Sequence, residues 1–398
     1  MSALDVDTVI VGAGPSGLAV AGCLTQAGLS FTLLEREASV GASWRKHYDR
    51  LHLHTARALS SLPHLPMPPD YPTYPSRDEV VAYLDNYQRA LGIEPRLGVE
   101  VTRATRAPDG RWHVTAAGEA WNARNLVVAS GYNAAPTRPT WPGLDTFPGR
   151  IIHSSEYKNG RDLAGLRVLV VGAGNSGAEI AVDLWESKAE VAIAIRGPLH
   201  VAPRDAFGLP AQHFTLALSH LPVRLADKLS EPLRDLVIGD LSPWGIVRPP
   251  VGPLELLETT GRVPLVDIGT VALIKQGAIT VVPGLAELDG ATVTFVDGRQ
   301  RTFDALILAT GYRAGLGWLD ADCLDERGLP RAHGREAAPG LYFLGYRNPT
   351  TGNLREIALE AQRIADALAK QRPAASADPR ALKPGLARKA LSALRLVR

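Results

Sequence analysis

Cysteine is nearly missing from this chain. Cys23 and Cys323 are the only two in 398 residues, and their wide separation allows neither a disulfide framework nor a Cys-x-x-Cys redox or zinc site. A reducing compartment, the cytoplasm, is the expected setting. Long apolar runs are also lacking: no stretch approaches the ~18 uninterrupted apolar residues that a membrane span needs, so there is no firm membrane signal. The start of the chain has no basic segment leading into an apolar one, as a secretory signal would. Its first apolar run, Val6 to Val11, already reads as structure. An excess of one charge is absent too. Lys and Arg number 43 against 41 Asp and Glu, a balance that creates no field able to gather nucleic acid, and no nucleic-acid partner is expected. What the chain does have is 45% hydrophobic residues and a length equal to two or three domains of roughly 100 to 200 residues, enough to bury a full core.

Glycine and proline are abundant, at 38 and 30 residues, as expected of tight turns and nucleotide loops. Their placement is more telling than their number. Asp7 to Val11 is a short β-branched run that enters Gly12-Ala13-Gly14-Pro15-Ser16-Gly17, after which Leu18 to Ala27 are helix formers ending at Gly28. Phe31 to Leu34 then reads as a second strand closing on Glu35. This strand, glycine turn, helix and strand are written a second time: Arg167 to Val171, Gly172-Ala173-Gly174-Asn175-Ser176-Gly177, a helix over Ala178 to Ser187, and a strand over Val191 to Ile195. Each copy is followed by a β-meander and an apolar strand. The first pair is Val99 to Val114, turning at Pro108-Asp109-Gly110, and Asn125 to Gly131. The second is Ile279 to Phe295 with Asp297-Gly298, and Ala305 to Gly311. A repeat this long predicts two copies of one nucleotide-binding domain.

In such a turn the first glycine lets the backbone fold back, the second lets a pyrophosphate approach, and the third lets helix and strand pack closely. The helix amino terminus then offers free N–H groups to the phosphates. The copies differ where the second strand ends. Glu35 in the first suits an unmodified ribose hydroxyl, as in FAD or NAD, whereas Arg196 in the second suits a 2′-phosphate, and the pair predicts FAD first and NADPH second. An exposed strand-end charge is the plainer reading of Arg196. The expected fold class is α/β with two Rossmann-like dinucleotide-binding domains, the NADPH domain (155–305) inserted into the FAD domain (1–154 and 306–370). Residues 62–75, with six prolines, predict a rigid loop, and Ser76-Arg77-Asp78-Glu79 has the form of a capping box opening a helix that ends near Gly92. Residues 209–241 read as a helical insertion in the second copy, with Leu221, Leu225, Leu229 and Leu233 on one stripe; lid, membrane-facing element and ordinary packing are its alternatives. The tail 371–398 is basic and expected to be loosely ordered.

Two nucleotides of unequal chemistry imply hydride passing from nicotinamide to flavin. Without a cysteine pair to accept the electrons, a soluble acceptor such as dioxygen remains. Phe147-Pro148-Gly149-Arg150-Ile151-Ile152-His153-Ser154-Ser155-Glu156-Tyr157 then resembles the F-x-G-x-x-x-H-x-x-x-Y fingerprint of class B flavin-containing monooxygenases. Gly41 to Trp44 is similar to their flavin-side turn, Ala309-Thr310-Gly311-Tyr312 to their A-T-G-Y segment, and Tyr342 to Tyr346 with Thr351 to Ile357 to their closing helix. Within the class the chain most resembles the YUCCA-type indole-pyruvate enzymes, through Asp49 to His54, Tyr71 to Pro75, His153 to Tyr157 and Gly252 to Glu255. Two features depart from these patterns: His54 stands where many animal and bacterial members carry Asn, and the run Asn348 to Asn353 differs from the YUCCA ending.

The resemblance implies an NADPH- and O2-dependent monooxygenase in which a flavin C4a-hydroperoxide donates oxygen to a small organic substrate, by aryl-pyruvate decarboxylation or N- or S-oxygenation. No catalytic triad or metal is then required. It places cofactor contacts at Gly12, Gly14, Pro15, Ser16, Gly17, Glu35, Arg36, Trp44, His54, Val101, Gly131, Gly172, Gly174, Asn175, Ser176, Gly177, Arg196, Tyr312, Asn353 and Leu354, with His54 and Asn353 nearest the chemistry. Plainer readings stand beside these. Trp44 equally suits the core, His153 and Tyr157 suit a joint between domains, and His52 with His54 lacks the carboxylate or thiol partners of a metal site. An NADPH oxidase or acceptor reductase is the rival within the fold, and a non-catalytic nucleotide sensor the rival outside it. Self-association is left open.

Overall fold

The computed structural model describes residues 3–371, so the expectation for the basic tail falls outside the described residues. Two sheets organise the chain. In the first, Thr32–Leu34, Leu4–Val11, Glu119–Val128 and Leu341–Phe343 lie side by side in that order and run parallel. Glu336–Ala338 adds an antiparallel edge, and the hairpin Val101–Arg106 and Trp112–Ala116 continues from Glu119–Val128. The second sheet has five parallel strands in the order Ile279–Pro283, Glu190–Ile195, Arg167–Val171, Ala305–Leu308 and Arg150–His153. The duplication read from sequence is therefore also spatial: in each sheet the first strand of the copy sits between its second strand and its late apolar strand.

The strands form as they do because they are buried on both faces. Arg167–Val171 is covered along four of its five residues and Ala305–Leu308 along all four, the apolar run expected of a parallel strand roofed on both sides. One face of the first sheet carries the helices Pro15–Gln26 and Asn353–Lys370, whose Leu18, Leu24, Ile357 and Ile364 share one core. The other face is closed by the hairpin, with Trp112 and Trp121 buried.

Two boundaries differ from the sequence reading. Arg150–His153 and Ala305–Leu308 both pair within the second sheet, so by sheet membership the seams fall just outside 155–305. The reason is register: Leu308 lies opposite both Val171 and His153, which makes the late strand the second sheet's own. The stretch Ile279 to Phe295 also divides, Ile279–Pro283 joining the parallel sheet and Leu285–Asp289 with Thr292–Phe295 forming a separate antiparallel layer. The proline-rich loop feeds a helix at Arg77–Ala90. Ser76 accepts from Glu79 N, and the Glu79 carboxylate accepts from Ser76 N at 2.7 Å, the reciprocal cap the sequence predicts. The insertion forms helices Ala211–Leu218 and Val223–Val237. Leu221, Leu225 and Leu229 of the expected stripe are largely exposed, and Ala226, Ile238 and Leu241 carry the packing instead.

Candidate functional site

Both glycine turns stand at the carboxyl ends of central parallel strands, where open α/β sheets present their ligands. Gly12 adopts φ 102°, and a Cβ there would meet Ala129 O at 2.7 Å. On Gly17 a Cβ would lie 1.8 Å from Gly12 O, so only glycine lets the helix start against the turn. Gly172 and Gly177 repeat this, with φ 109° at Gly172 and 2.0 Å between a Gly177 Cβ and Gly172 O. Gly14 and Gly174, the two N-caps, face open space. Pro15 takes a first-turn position of its helix, where its missing N–H is not needed. Neither helix has an acidic residue in its first turn. Two uncovered helix amino termini without competing carboxylates fit two dinucleotide pyrophosphates.

The strand-end residues also differ in environment. Glu35 is buried, and its carboxylate accepts from Ala13 N at 2.6 Å and Glu37 N at 3.0 Å. It thereby ties the strand end to the glycine turn while keeping acceptor capacity on both oxygens. Arg36 is exposed and pairs with Glu37. Arg196 is exposed at the matching position of the second sheet, and among the described residues it has no ion pair. The Asn175 side chain is oriented by its Oδ1, which accepts from Val266 N at 2.8 Å, and its Nδ2 keeps its donors for an anion at the turn.

Between the turns lies a buried polar junction. The Tyr48 hydroxyl donates to Glu179 Oε2 at 2.8 Å with Ser176 alongside. Burial first, and the adjoining carboxylate second, hold the Tyr48 phenol well above its ordinary range, so it remains a donor. His54 Nε2 stands 3.4 Å from the same Glu179 oxygen and, among the described residues, makes no hydrogen bond. His52 turns away, its Nδ1 lying 2.6 Å from Arg50 O. Among the described residues no three His, Cys, Asp or Glu side chains group as metal ligands. On the flavin side, Trp44 is half-buried against the first core. Asn353 opens the helix Asn353–Lys370 behind Gly352, whose φ is 108°, while the Leu354 side chain is committed to the core. Ser16 packs on Gly345, where a Cβ would come within 2.0 Å of its Oγ.

The fingerprint residues divide along one strand. Phe147 and Gly149 lie at the amino-terminal end of Arg150–His153; a Cβ on Gly149 would meet Asp304 O at 2.1 Å, so their role is packing. His153, at the carboxyl end, is fully buried, and its ring lies edge-on to Tyr312 with centroids 5.2 Å apart. Burial lowers its pKa, and Ser155 N donates to its Nδ1. The Tyr157 hydroxyl donates to Asp183 of the helix Asn175–Glu186. Tyr157 thereby ties its segment to the helix that follows the second glycine turn. Val101 is buried in its strand among Trp112 and Trp121, and Gly131 takes φ 79° just beyond the strand Glu119–Val128.

Four contributors escaped the sequence reading: Tyr48, Glu179, Asp183 and Gln212. Glu179 could have been found, since a carboxylate in the apolar run Ala178 to Val182 faces the core and needs a partner. Gln212 gave no signal, because its partners are backbone groups far away in sequence.

Residues 9–206 match the family described as pyridine nucleotide-disulphide oxidoreductase. The chain is 44% identical over 348 residues to the rice protein named indole-3-pyruvate monooxygenase YUCCA1, covering 85% of this chain and 86% of that one. It is 39% identical to Arabidopsis thaliana YUCCA6, covering 91% and 90%. Among solved structures, a flavin-containing monooxygenase from Stenotrophomonas maltophilia superposes with a TM-score of 0.70 at 27% identity, covering 92% of this chain and 99% of that one. With two dinucleotide cradles and this degree of likeness, the chain belongs to the YUCCA group of flavin-containing monooxygenases and is an FAD- and NADPH-dependent monooxygenase.

Proposed function

We propose that this enzyme oxygenates an aryl-substituted 2-oxo acid and releases its carboxyl group as carbon dioxide. The observation that carries the reading is the 44% identity, over most of both chains, to a protein named for indole-3-pyruvate. Aryl-pyruvate, O2, NADPH and a proton become the acid one carbon shorter, CO2, NADP+ and water. When bound, NADPH supplies hydride and FAD the capacity to activate dioxygen. The rest falls to the polypeptide.

The first unit takes FAD, its turn at Gly12, Gly14 and Gly17 holding the pyrophosphate and Glu35 the ribose hydroxyls. The second takes NADPH at Gly172, Gly174, Ser176 and Gly177, with Arg196 on the 2′-phosphate. Support comes from the free Arg196 guanidinium and from the carboxylate that replaces it in the first unit. His54 meets a cofactor or substrate from the flavin side of the junction, a reading supported by a buried Nε2 that makes no hydrogen bond among the described residues while lying 3.4 Å from Glu179 Oε2. Asn353 presents the amino terminus of its helix to the flavin edge. Cys23 and Cys323 are unpaired thiols, which supports a reducing compartment such as the cytoplasm. No described helix is long and apolar enough to cross a membrane.

The test is product analysis with NADPH, air and a panel of aryl-pyruvates, amines and sulfides. One CO2 and one shortened acid per NADPH is the expected result. Hydrogen peroxide accounting for all the NADPH would make the protein an oxidase, and preferred turnover of amines or sulfides would overturn the substrate class.

A further inference from the structure

The helix Ala211–Leu218 lies mostly open, and the one residue it buries is polar: Gln212, 7% exposed. Its Oε1 accepts from Ala56 N at 2.8 Å, and its Nε2 donates to Thr351 O at 2.6 Å. The amide's orientation is dictated by its partners, since a backbone N–H can only donate and a carbonyl can only accept. Among the described residues these two backbone groups have no other hydrogen bond. Buried and unpaired, each would carry the desolvation penalty of an unmade hydrogen bond. The two segments so joined are the flavin-side pair already singled out. Ala56 follows His54 by two residues, and Thr351 precedes Asn353 by two. They also lie side by side: a Cβ on Gly352 would lie 3.1 Å from Thr55 Cγ2 and 2.6 Å from Gln212 Nε2. Few side chains could do this. Glu lacks the donor, Asn is a methylene short, and Met reaches but bonds to neither group.

We propose that Gln212 is a positioning residue: reaching out of the helical insertion, it clasps the His54 and Asn353 segments together and so sets how fully NADPH consumption is coupled to oxygen transfer. The second half of this statement rests on the proposed function; the first half does not. The insertion is then a structural part of the flavin-side site, held to it at one buried point while its outer face, including Phe207, Leu209 and Leu236, stays exposed.

The experiment compares flavin-loaded wild type with Gln212→Met, which fills the same space without hydrogen bonds, and Gln212→Glu, which keeps the acceptor and loses the donor. Hydrogen–deuterium exchange reads the clasp directly. The Ala56 amide should exchange at least tenfold faster in Gln212→Met, with the core strand Arg167–Val171 unchanged. Product formed per NADPH should fall at least threefold in both variants, hydrogen peroxide making up the difference, while KM for NADPH stays within twofold. Unchanged exchange at Ala56 overturns the clasp, as does a rise in exchange spread over the whole protein. Faster exchange with intact coupling overturns its part in the reaction. Wild type that consumes NADPH without making product would defeat the proposed function while the exchange result stood on its own.

Discussion

Arg196 and Glu35 occupy matching strand ends with opposite charge, and the proposed assignment of the two nucleotides rests on that contrast. A guanidinium with no ion pair of its own among the described residues gives up no protein contact when a phosphate arrives, and charge-assisted bonds of this kind are worth roughly 1.5–3 kcal/mol. Arg196→Asp should therefore lower kcat/KM for NADPH by about 10- to 100-fold and leave NADH nearly unaffected, as steady-state kinetics with both nucleotides will show; an unchanged preference would remove Arg196 from this role. Beyond the ribose contact proposed for it, Glu35 has a structural duty. Its two hydrogen bonds to Ala13 N and Glu37 N fix the turn before any ligand binds. That second duty was hidden in the sequence, because it depends on a strand end folding back on a turn 22 residues earlier.

Among the elements, those governed by local chemistry were legible and those governed by distant partners were not. Both glycine turns, the capped helix at Arg77–Ala90 and the hairpin at Pro108 to Gly110 follow from residues that act on their own neighbours. Ser76 supplies a reciprocal cap, so Ser76→Ala should cost about 0.5–2 kcal/mol, read as a lower midpoint in urea denaturation; no loss would mean that burial of Tyr83 and Tyr87 alone holds this helix. The leucine stripe at 221 to 229 was legible only as a face, because helical spacing shows that a face exists and not what covers it. The strands at 150–153 and 305–308 changed sheets because a seam between two similar units is set by pairing register, which short apolar runs do not encode. The junction of Tyr48, His54 and Glu179 was only partly visible: His54 came from a resemblance, whereas Glu179, which both of the others approach, is brought in by the other unit.

At the scale of the whole molecule, two half-buried histidines respond to acid. Burial, reinforced by Lys158, lowers the His47 pKa to about 4. His333, buried beside Arg347, is also lowered to about 4. In the unfolded chain each titrates near 6.5, so between pH 6.5 and 4 the unfolded state binds more protons than the native one. Stability from these groups is present above 6.5 and is lost as pH falls toward 4. The loss by pH 5 should be about 1 kcal/mol per histidine once solvent screening at half-buried sites is allowed for. Thermal unfolding at pH 7 and pH 5 should show a lower Tm at pH 5, and the double variant His47→Gln, His333→Gln should flatten the difference. An equal drop in that variant would place the acid sensitivity elsewhere.

The central claim is that the two glycine cradles hold FAD and NADPH close enough for hydride to pass between them. Anaerobic titration of the FAD-loaded protein with NADPH, followed by its visible spectrum, tests this most directly. The account predicts one FAD per chain and a yellow absorption band that bleaches at one NADPH per flavin. A colourless protein that takes up no FAD, or a bound flavin that NADPH leaves oxidised, would contradict it.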